Sequence, residues 1–146
     1  MKDKKIAIGS DHAGFELKEA LKVYIASKGY EVRDFGTNSN ASVDYADYAH
    51  PLATAVENDE FIFGFTICGS GNGINMTVNK HEGIRAALCW IPEIARLARA
   101  HNDANICTLP GRFISEDEAK EIVDIFLSTP FDGGRHVARI NKIRCS

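Results

Sequence analysis

Short apolar runs alternate along the chain with stretches in which apolar residues recur at helical spacing. The run Phe61–Ile67 is the most apolar and predicts a strand in the middle of a sheet. Shorter runs predict four further strands, at 5–9, 30–35, 84–90 and 105–109. Strands that alternate with helices of about ten residues are typical of βαβ units. The pattern therefore predicts a parallel sheet with helices on both faces.

Polar and special residues mark where the helices begin and end. Gly29 is a stop for the first helix, and Pro51 leaves the start of the second helix open. Ser115 and Glu118 have the spacing of a capping box, which predicts the start of the last long helix. After Gly133-Gly134 the sequence predicts a basic C-terminal helix or tail.

Five strands in a chain of 146 residues favour a single domain over 1–146, with a three-layer αβα, Rossmann-like (flavodoxin-like) fold and strand order 2-1-3-4-5. In that order strands one and three are neighbours whose following connections run to opposite faces. Such sheets bind ligands in the crevice at the carboxyl ends of those two strands. The loops that meet there are Ser10–Gly14 and Cys68–Gly73.

Composition narrows the class of protein. With 45% hydrophobic and 25% charged residues, the chain is typical of globular proteins, and its net charge of −3 provides no general attraction to nucleic acid or membranes. No apolar run approaches the ~20 residues of a membrane span. Because Met1–Lys5 leads straight into a strand instead of a signal peptide, we expect a cytoplasmic protein.

The four cysteines are far apart and form no C-x-x-C pair, which favours reduced thiols over disulfides or a zinc site. Cys89 and Cys107 are interpreted as small core residues. Cys68 differs because glycine-rich sequence follows it directly.

The loop Cys68–Gly73 leaves backbone N–H groups unshielded, so it is suited either to a phosphate or to an oxyanion beside a thiolate. It does not fit other glycine motifs: its third glycine comes one position early for a dinucleotide fingerprint, and it lacks the Gly-Lys-Ser/Thr of a P-loop. A phosphatase loop would need Arg where Ile74 stands. A helix that begins after this loop is expected to lower the pKa of the Cys68 thiol and favour the thiolate.

Further polar residues surround the predicted crevice. Asp11 is a candidate N-cap, and His12 at the mouth is a candidate donor to a phosphate or hydroxyl. For Tyr45 two interpretations are open: its ring packs against neighbouring residues, or it reaches the mouth of the crevice. Arg112 follows strand five on the same side.

Other candidate side chains start at the opposite edge of the sheet. His101 and Asn102 end the fourth helix, and Arg135 and Arg139, four residues apart, share a face if helical. The local sequence is also consistent with a simple helix terminus at His101 and Asn102, and with a solvated basic tail that carries Arg135 and Arg139. These groups begin roughly a strand length (~20 Å) from Cys68, so if they serve a site it is that of a neighbouring subunit, which predicts a two-fold dimer with sites at the interface.

The ordered motifs of the chain resemble, over essentially its whole length, the ribose-5-phosphate isomerase type B family, which also contains galactose-6-phosphate and allose-6-phosphate isomerases. The resemblance rests on Gly9-Ser10-Asp11-His12-Ala13-Gly14, Asp44-Tyr45, Ile67-Cys68-Gly69-Ser70-Gly71-Asn72-Gly73, Asn79-Lys80, Gly83-Ile84-Arg85-Ala86, His101-Asn102-Asp103-Ala104-Asn105 and Gly133-Gly134-Arg135-His136.

The resemblance implies an aldose–ketose isomerase that moves a proton between adjacent carbons through an enediolate, with no metal and no organic cofactor. It implies Cys68 as general base, assisted by Ser70, and His101 in opening the furanose ring. Backbone N–H groups of Gly69, Gly71, Asn72 and Gly73 would hold the enediolate oxygen. The remaining implied binding residues are Asp11, Tyr45 and Asn102 for the sugar, and His12, Arg112, Arg135 and Arg139 for the phosphate.

The resemblance also implies a homodimer, or a dimer of dimers, with sites completed at the subunit interface. Two positions depart from several relatives: Ala46 replaces a proline, and Ser70 replaces a threonine.

The favoured interpretation is conversion of ribose 5-phosphate to ribulose 5-phosphate. Alternatives are an allose or galactose 6-phosphate isomerase, a non-catalytic sugar-phosphate-binding protein, and a thiol redox protein, for which a resolving cysteine is missing.

Overall fold

Five parallel strands form one sheet in the computed structural model, which describes residues 2–145. The strands are β1 (Lys5–Ser10), β2 (Glu31–Asp34), β3 (Phe63–Cys68), β4 (Ala86–Leu88) and β5 (Ile106–Pro110). The helices are α1 (Phe15–Ser27), α2 (Tyr45–Glu57), α3 (Asn72–Val78), α4 (Pro92–Asn102), α5 (Glu116–Ser128) and α6 (His136–Asn141), with 3-10 turns at Lys2–Lys4 and His12–Gly14.

The strand order is β2-β1-β3-β5-β4, so the predicted order 2-1-3-4-5 is wrong in its last two places. All residues of β5 are buried, and β5 pairs with β3 from Gly64↔Ile106 to Cys68↔Pro110. By contrast, β4 has only 3 residues, all partly exposed, and it pairs with β5 alone. An interior strand is covered on both faces, so the longer and more apolar β5 takes that place and β4 forms the edge.

The helices cover both faces of the sheet, which confirms the three-layer Rossmann-like arrangement. On one face, α1, α4 and α5 pack on the strands around Phe65 and Phe126, whose ring centroids are 5.6 Å apart. On the other face, α2 and α3 pack through Leu52 and Ile74. Burial of these apolar groups is the main stabilising contribution, at roughly 25 cal/mol per Å² of apolar surface.

Helix boundaries agree closely with the sequence patterns. The α1 helix ends before Gly29, and Ser115 with Glu118 forms the predicted capping box of α5. Pro51 lies inside α2 without ending it, and α6 is the predicted basic C-terminal helix. No helix between residues 2 and 145 is long and apolar enough to cross a membrane.

The neighbouring strands β1 and β3 leave the sheet in opposite directions, toward α1 on one face and α3 on the other. This divergence opens a crevice at their carboxyl ends. Its walls are tied together by backbone hydrogen bonds from Asp11 N to Ile67 O (3.3 Å) and from Gly111 N to Cys68 O (2.9 Å). The loops after β1, β3 and β5 therefore have fixed relative positions.

Candidate active site

A cleft of about 470 Å³ lies at this crevice. It brings together eight of the predicted site residues, namely Asp11, His12, Tyr45, Cys68, Gly69, Ser70, Gly73 and Arg112. A larger groove of about 700 Å³ lies at the amino-terminal edge of the sheet, between residues such as Lys2, Arg33 and Asp59. Among the described residues that line this groove there is no thiol and no histidine. The cleft at the carboxyl ends is the candidate site because it gathers most of the predicted site residues.

Cys68 is the last residue of β3, and its side chain is 4% exposed. Burial raises the pKa of the Cys68 thiol above its ordinary value, and the negative charge of Asp11 acts in the same direction. Backbone N–H groups of Ile74, Gly71 and Gly73 lower this pKa without cancelling the effect of burial. The expectation of a lowered thiol pKa is therefore wrong, because removal from water outweighs the helix N-terminus.

The glycine loop has the geometry that its sequence predicts. Gly71 is the N-cap of α3 and has a φ of 82°, in the left-handed region that favours glycine. A side chain at Gly73 would collide with the ring of Tyr45, which lies directly against this backbone. Tyr45 is 40% exposed at the start of α2, so it both packs on the loop and borders the cleft.

Asp11 and His12 hold defined positions opposite the thiol. Asp11 Oδ1 accepts a hydrogen bond from Gly14 N (3.1 Å), so Asp11 caps the 3-10 turn His12–Gly14 that leads into α1, whereas the N-cap of α1 itself is Gly14. His12 Nδ1 accepts a hydrogen bond from Val43 N (3.1 Å). Since Nδ1 is an acceptor, neutral His12 carries its proton on Nε2, which is then a donor for a ligand.

The Arg112 side chain lies across the loop from the other side. Arg112 N donates to Gly69 O (3.0 Å), and a Cβ on Gly69 would come 3.3 Å from Arg112 Cδ. A guanidinium, a histidine N–H donor and backbone N–H groups thus border one cleft. Such donors match the oxygens of a phosphate or an oxyanion.

Other predicted residues do not line this cleft. Gly71 is a buried part of the loop and packs against Leu88 and Leu109. Asn72 borders a neighbouring depression together with Trp90 and Phe113. His101 and Asn102 end α4 and precede the first residue of β5, whereas Cys68 pairs with Pro110, its last residue. They therefore lie toward the opposite edge of the sheet from the thiol.

Arg135 and Arg139 accompany His101 at this second location. The rings of His101 and His136 stack with their centroids 4.4 Å apart, which brings α6 against the end of α4. We call His101, Asp132, Arg135, His136 and Arg139 the distal cluster. Its members come from the end of α4, the segment before α6, and α6 itself.

Part of the distal cluster has metal-ligand chemistry. One ligand atom each from His101, Asp132 and His136 lies within 4.8 Å of the others, the only such grouping of three within residues 2–145. The two rings are inclined by only 15°, so their nitrogen lone pairs run in nearly parallel planes. A tetrahedral ion needs converging lone pairs, and this arrangement does not supply them.

Comparison with known proteins identifies the family. Residues 6–143 match the family described as ribose/galactose isomerase. The chain belongs to the ribose/galactose isomerase family. It is accordingly an enzyme of the sugar-phosphate aldose–ketose isomerase class.

Individual relatives in this family cover almost the whole chain. Ribose-5-phosphate isomerase B of Escherichia coli K12 is 44% identical over 140 residues, which are 96% of this chain and 94% of the relative. The crystal structure of a ribose 5-phosphate isomerase from Thermotoga maritima has 57% identity and a TM-score of 0.94, and covers 95% of this chain and 96% of the other. A Mycoplasma genitalium ribose-5-phosphate isomerase B with bound ribulose-5-phosphate has 42% identity and a TM-score of 0.91, and covers 95% and 93%.

Sequence reasoning missed some residues that shape the isomerase cleft. Ser42, Val43 and Asp44 line it, and Val43 fixes the tautomer of His12. Ser42 and Val43 stand in an ordinary polar loop with no local signal, whereas Asp44 belongs to the motif Asp44-Tyr45, in which only Tyr45 was given a role. His136 and Asp132 also had no predicted role. A signal existed only for His136, which ends the motif Gly133-Gly134-Arg135-His136.

Proposed function

We propose that this isomerase interconverts ribose 5-phosphate and ribulose 5-phosphate through an enediolate. The observation that carries the proposal is a buried thiol, Cys68, beside the backbone N–H groups of the glycine loop, in a cleft that Arg112 and His12 also border. A base, the thiol, and an anion-binding group, the backbone N–H donors, would then both lie beside C1 and C2 of a bound sugar. The names of the relatives from E. coli, T. maritima and M. genitalium support the choice of substrate.

In the proposed reaction the Cys68 thiolate removes the proton from C2 of the open-chain aldose. The electron pair moves onto the carbonyl, which leaves a negative oxygen on C1. The thiol then returns the proton to C1, while the hydroxyl proton on O2 moves to O1. Ser70, exposed at the rim, assists this exchange between the two oxygens.

The backbone from Gly69 to Gly73 would stabilise the enediolate oxygen. Donors fixed in place before the reaction need no reorganisation when the charge develops, and removing one typically costs ~3 kcal/mol of barrier. Asp11, Tyr45 and Asn102 would hold the sugar hydroxyls. His12, Arg112, Arg135 and Arg139 would bind the phosphate.

We propose that a second copy of the chain completes each site. His101 is assigned to opening the furanose ring, yet it lies in the distal cluster, away from its own cleft. A two-fold dimer lets the distal cluster of one subunit serve the cleft of the other. The exposed side chains of Trp90 (50%) and Phe113 (74%), next to Ser70, support an interface there.

The raised pKa of Cys68 predicts how its reactivity depends on pH. The thiolate is both base and nucleophile, so alkylation by iodoacetamide should stay slow at pH 7 and rise about tenfold per pH unit until the pH passes the thiol pKa, above the ordinary value of about 8.5. The ascending limb of kcat/KM should report the same ionisation. Fast alkylation that is already independent of pH at pH 7 would contradict this prediction.

A substrate panel tests the proposed function. We expect kcat/KM for ribose 5-phosphate to exceed that for allose 6-phosphate or galactose 6-phosphate by about tenfold or more, since a longer sugar must fit the same pocket. The reverse preference would favour the hexose-phosphate alternative. That alternative is open because the family description includes galactose isomerases, and because Ala46 stands where several relatives have the larger proline. Binding of all three without turnover would identify a sugar-phosphate-binding protein instead.

A further inference from the structure

The side chain of His101 is oriented by one contact that the proposed reaction does not explain. Its ring lies on the ring of His136, with 4.4 Å between centroids and 15° between planes. The rings of His12 and His81 are held by hydrogen bonds with Val43 N and Glu57, respectively. Within residues 2–145 no hydrogen bond holds the rings of His101 or His136. The stack orients the His101 ring, and the His136 ring also lies near the ring of Phe131, at 6.5 Å between centroids.

The backbone places His136 at this position. Asp132 N donates to Ala100 O (2.9 Å), which ties the segment before α6 to the end of α4. Gly133 and Gly134 follow with φ values of 69° and 58°, so the chain turns sharply and α6 begins beside His101. The stack is thus built on a turn with its own hydrogen bond.

The charges around the stack favour a neutral His136. Burial lowers the pKa of His136, and the positive charges of His101, Arg135 and Arg139 lower it further, while Asp132 acts in the opposite direction. A neutral imidazole can stack on His101 whether or not His101 carries a proton, and its π face favours a charged partner. The carboxylate of Asp132 lies within 4.8 Å of the ligand nitrogens of both rings.

We infer that His136 is a positioning residue that holds the His101 ring in the plane in which it meets the sugar of the partner's cleft. This inference rests on the proposed function, because it assumes that His101 opens the furanose ring. The flat face of His136 restricts rotation of His101 about its side-chain bonds. Arg135 and Arg139 lie on the same segment, so the ring-opening group and the phosphate-binding groups are presented together.

The test compares His136→Leu with His136→Phe, which keeps a flat ring, and with Val137→Ala as a control on the same helix. We expect His136→Leu to lower kcat for ribose 5-phosphate about five- to tenfold, to change KM by less than about twofold, and to shift the limb of the kcat pH profile that depends on His101. His136→Phe should recover most of the loss, and Val137→Ala should resemble the wild type. In proton NMR spectra, the ring signal of His101 should move downfield in His136→Leu, since the shielding by the stacked ring is lost.

The outcomes separate this inference from the proposed function. An active wild type with an unchanged kcat and pH profile in His136→Leu would overturn the inference alone. A rise in KM with kcat preserved would also overturn it, because it would show that His136 acts only by placing the arginines of α6. A wild type that turns over none of the sugar phosphates would overturn the proposed function, and with it the inference.

Discussion

Replacing Cys68 with alanine should lower kcat by about 10³- to 10⁴-fold, the range in which a general base contributes. In the proposed mechanism no other group in the cleft takes the proton from C2. The first turn of α3, Asn72–Asn75, lies next to the thiol in the chain and contains no acid that could act as the base instead. The dissociation constant for ribulose 5-phosphate should change little, because the other cleft residues remain. Steady-state kinetics and calorimetric titration of the variant measure the two quantities.

The chain offers a matched control for this prediction. Cys145 is exposed and lies outside the cleft, so Cys145→Ser removes a thiol without touching the proposed chemistry. Its kcat should equal that of the wild type. A Cys68→Ala variant that retains kcat within about tenfold of the wild type would rule out the sulfur as the base.

Mixing two inactive variants should restore activity if the sites are shared between subunits. In a hybrid dimer of Cys68→Ala and His101→Ala, one site combines the intact thiol of one chain with the intact histidine of the other. Random exchange makes half of the dimers hybrids with one working site each, so about a quarter of wild-type activity should return. Each homodimer lacks the same group in both of its sites. The measurement is kcat per subunit before and after subunit exchange.

A second mixture controls for indirect effects of exchange. Arg112 borders the same cleft as Cys68 in a single chain, so Cys68→Ala mixed with Arg112→Ala places one defect in each site. That mixture should recover no activity. If exchange is shown by mass spectrometry and the histidine mixture also stays inactive, each chain completes its own site.

The sequence patterns predicted most of the fold but not the order of its last two strands. Periodicity and special residues located all five strands and the capping box at Ser115, since these depend on neighbouring residues alone. Whether β4 or β5 lies beside β3 depends on competition between two strands for one place. The sequence run at 84–90 resembled an interior strand, but only Ala86–Leu88 pairs, and it pairs at the edge.

The site was predictable where chemistry and topology coincide, and less so where burial decides. The loops after β1 and β3 meet as expected because β1 and β3 are neighbours in both the predicted and the observed order. The direction of the Cys68 pKa shift was not predictable, because it depends on how deeply the folded chain buries the thiol, and the negative charge of Asp11 adds to that effect. The pairing of His101 with His136 required knowledge of where a turn returns the chain to α4.

The most direct measurement follows the hydrogen itself. Ribose 5-phosphate carrying deuterium on C2 is incubated with wild type or with Cys68→Ala, each saturated with ligand, and NMR reports when the deuterium leaves that carbon. The proposed mechanism predicts loss at the turnover rate in the wild type, wherever the deuterium goes next, and retention in the bound but inactive variant. Loss from the variant at a rate near that of the wild type would show that a group other than the sulfur breaks the C2 bond.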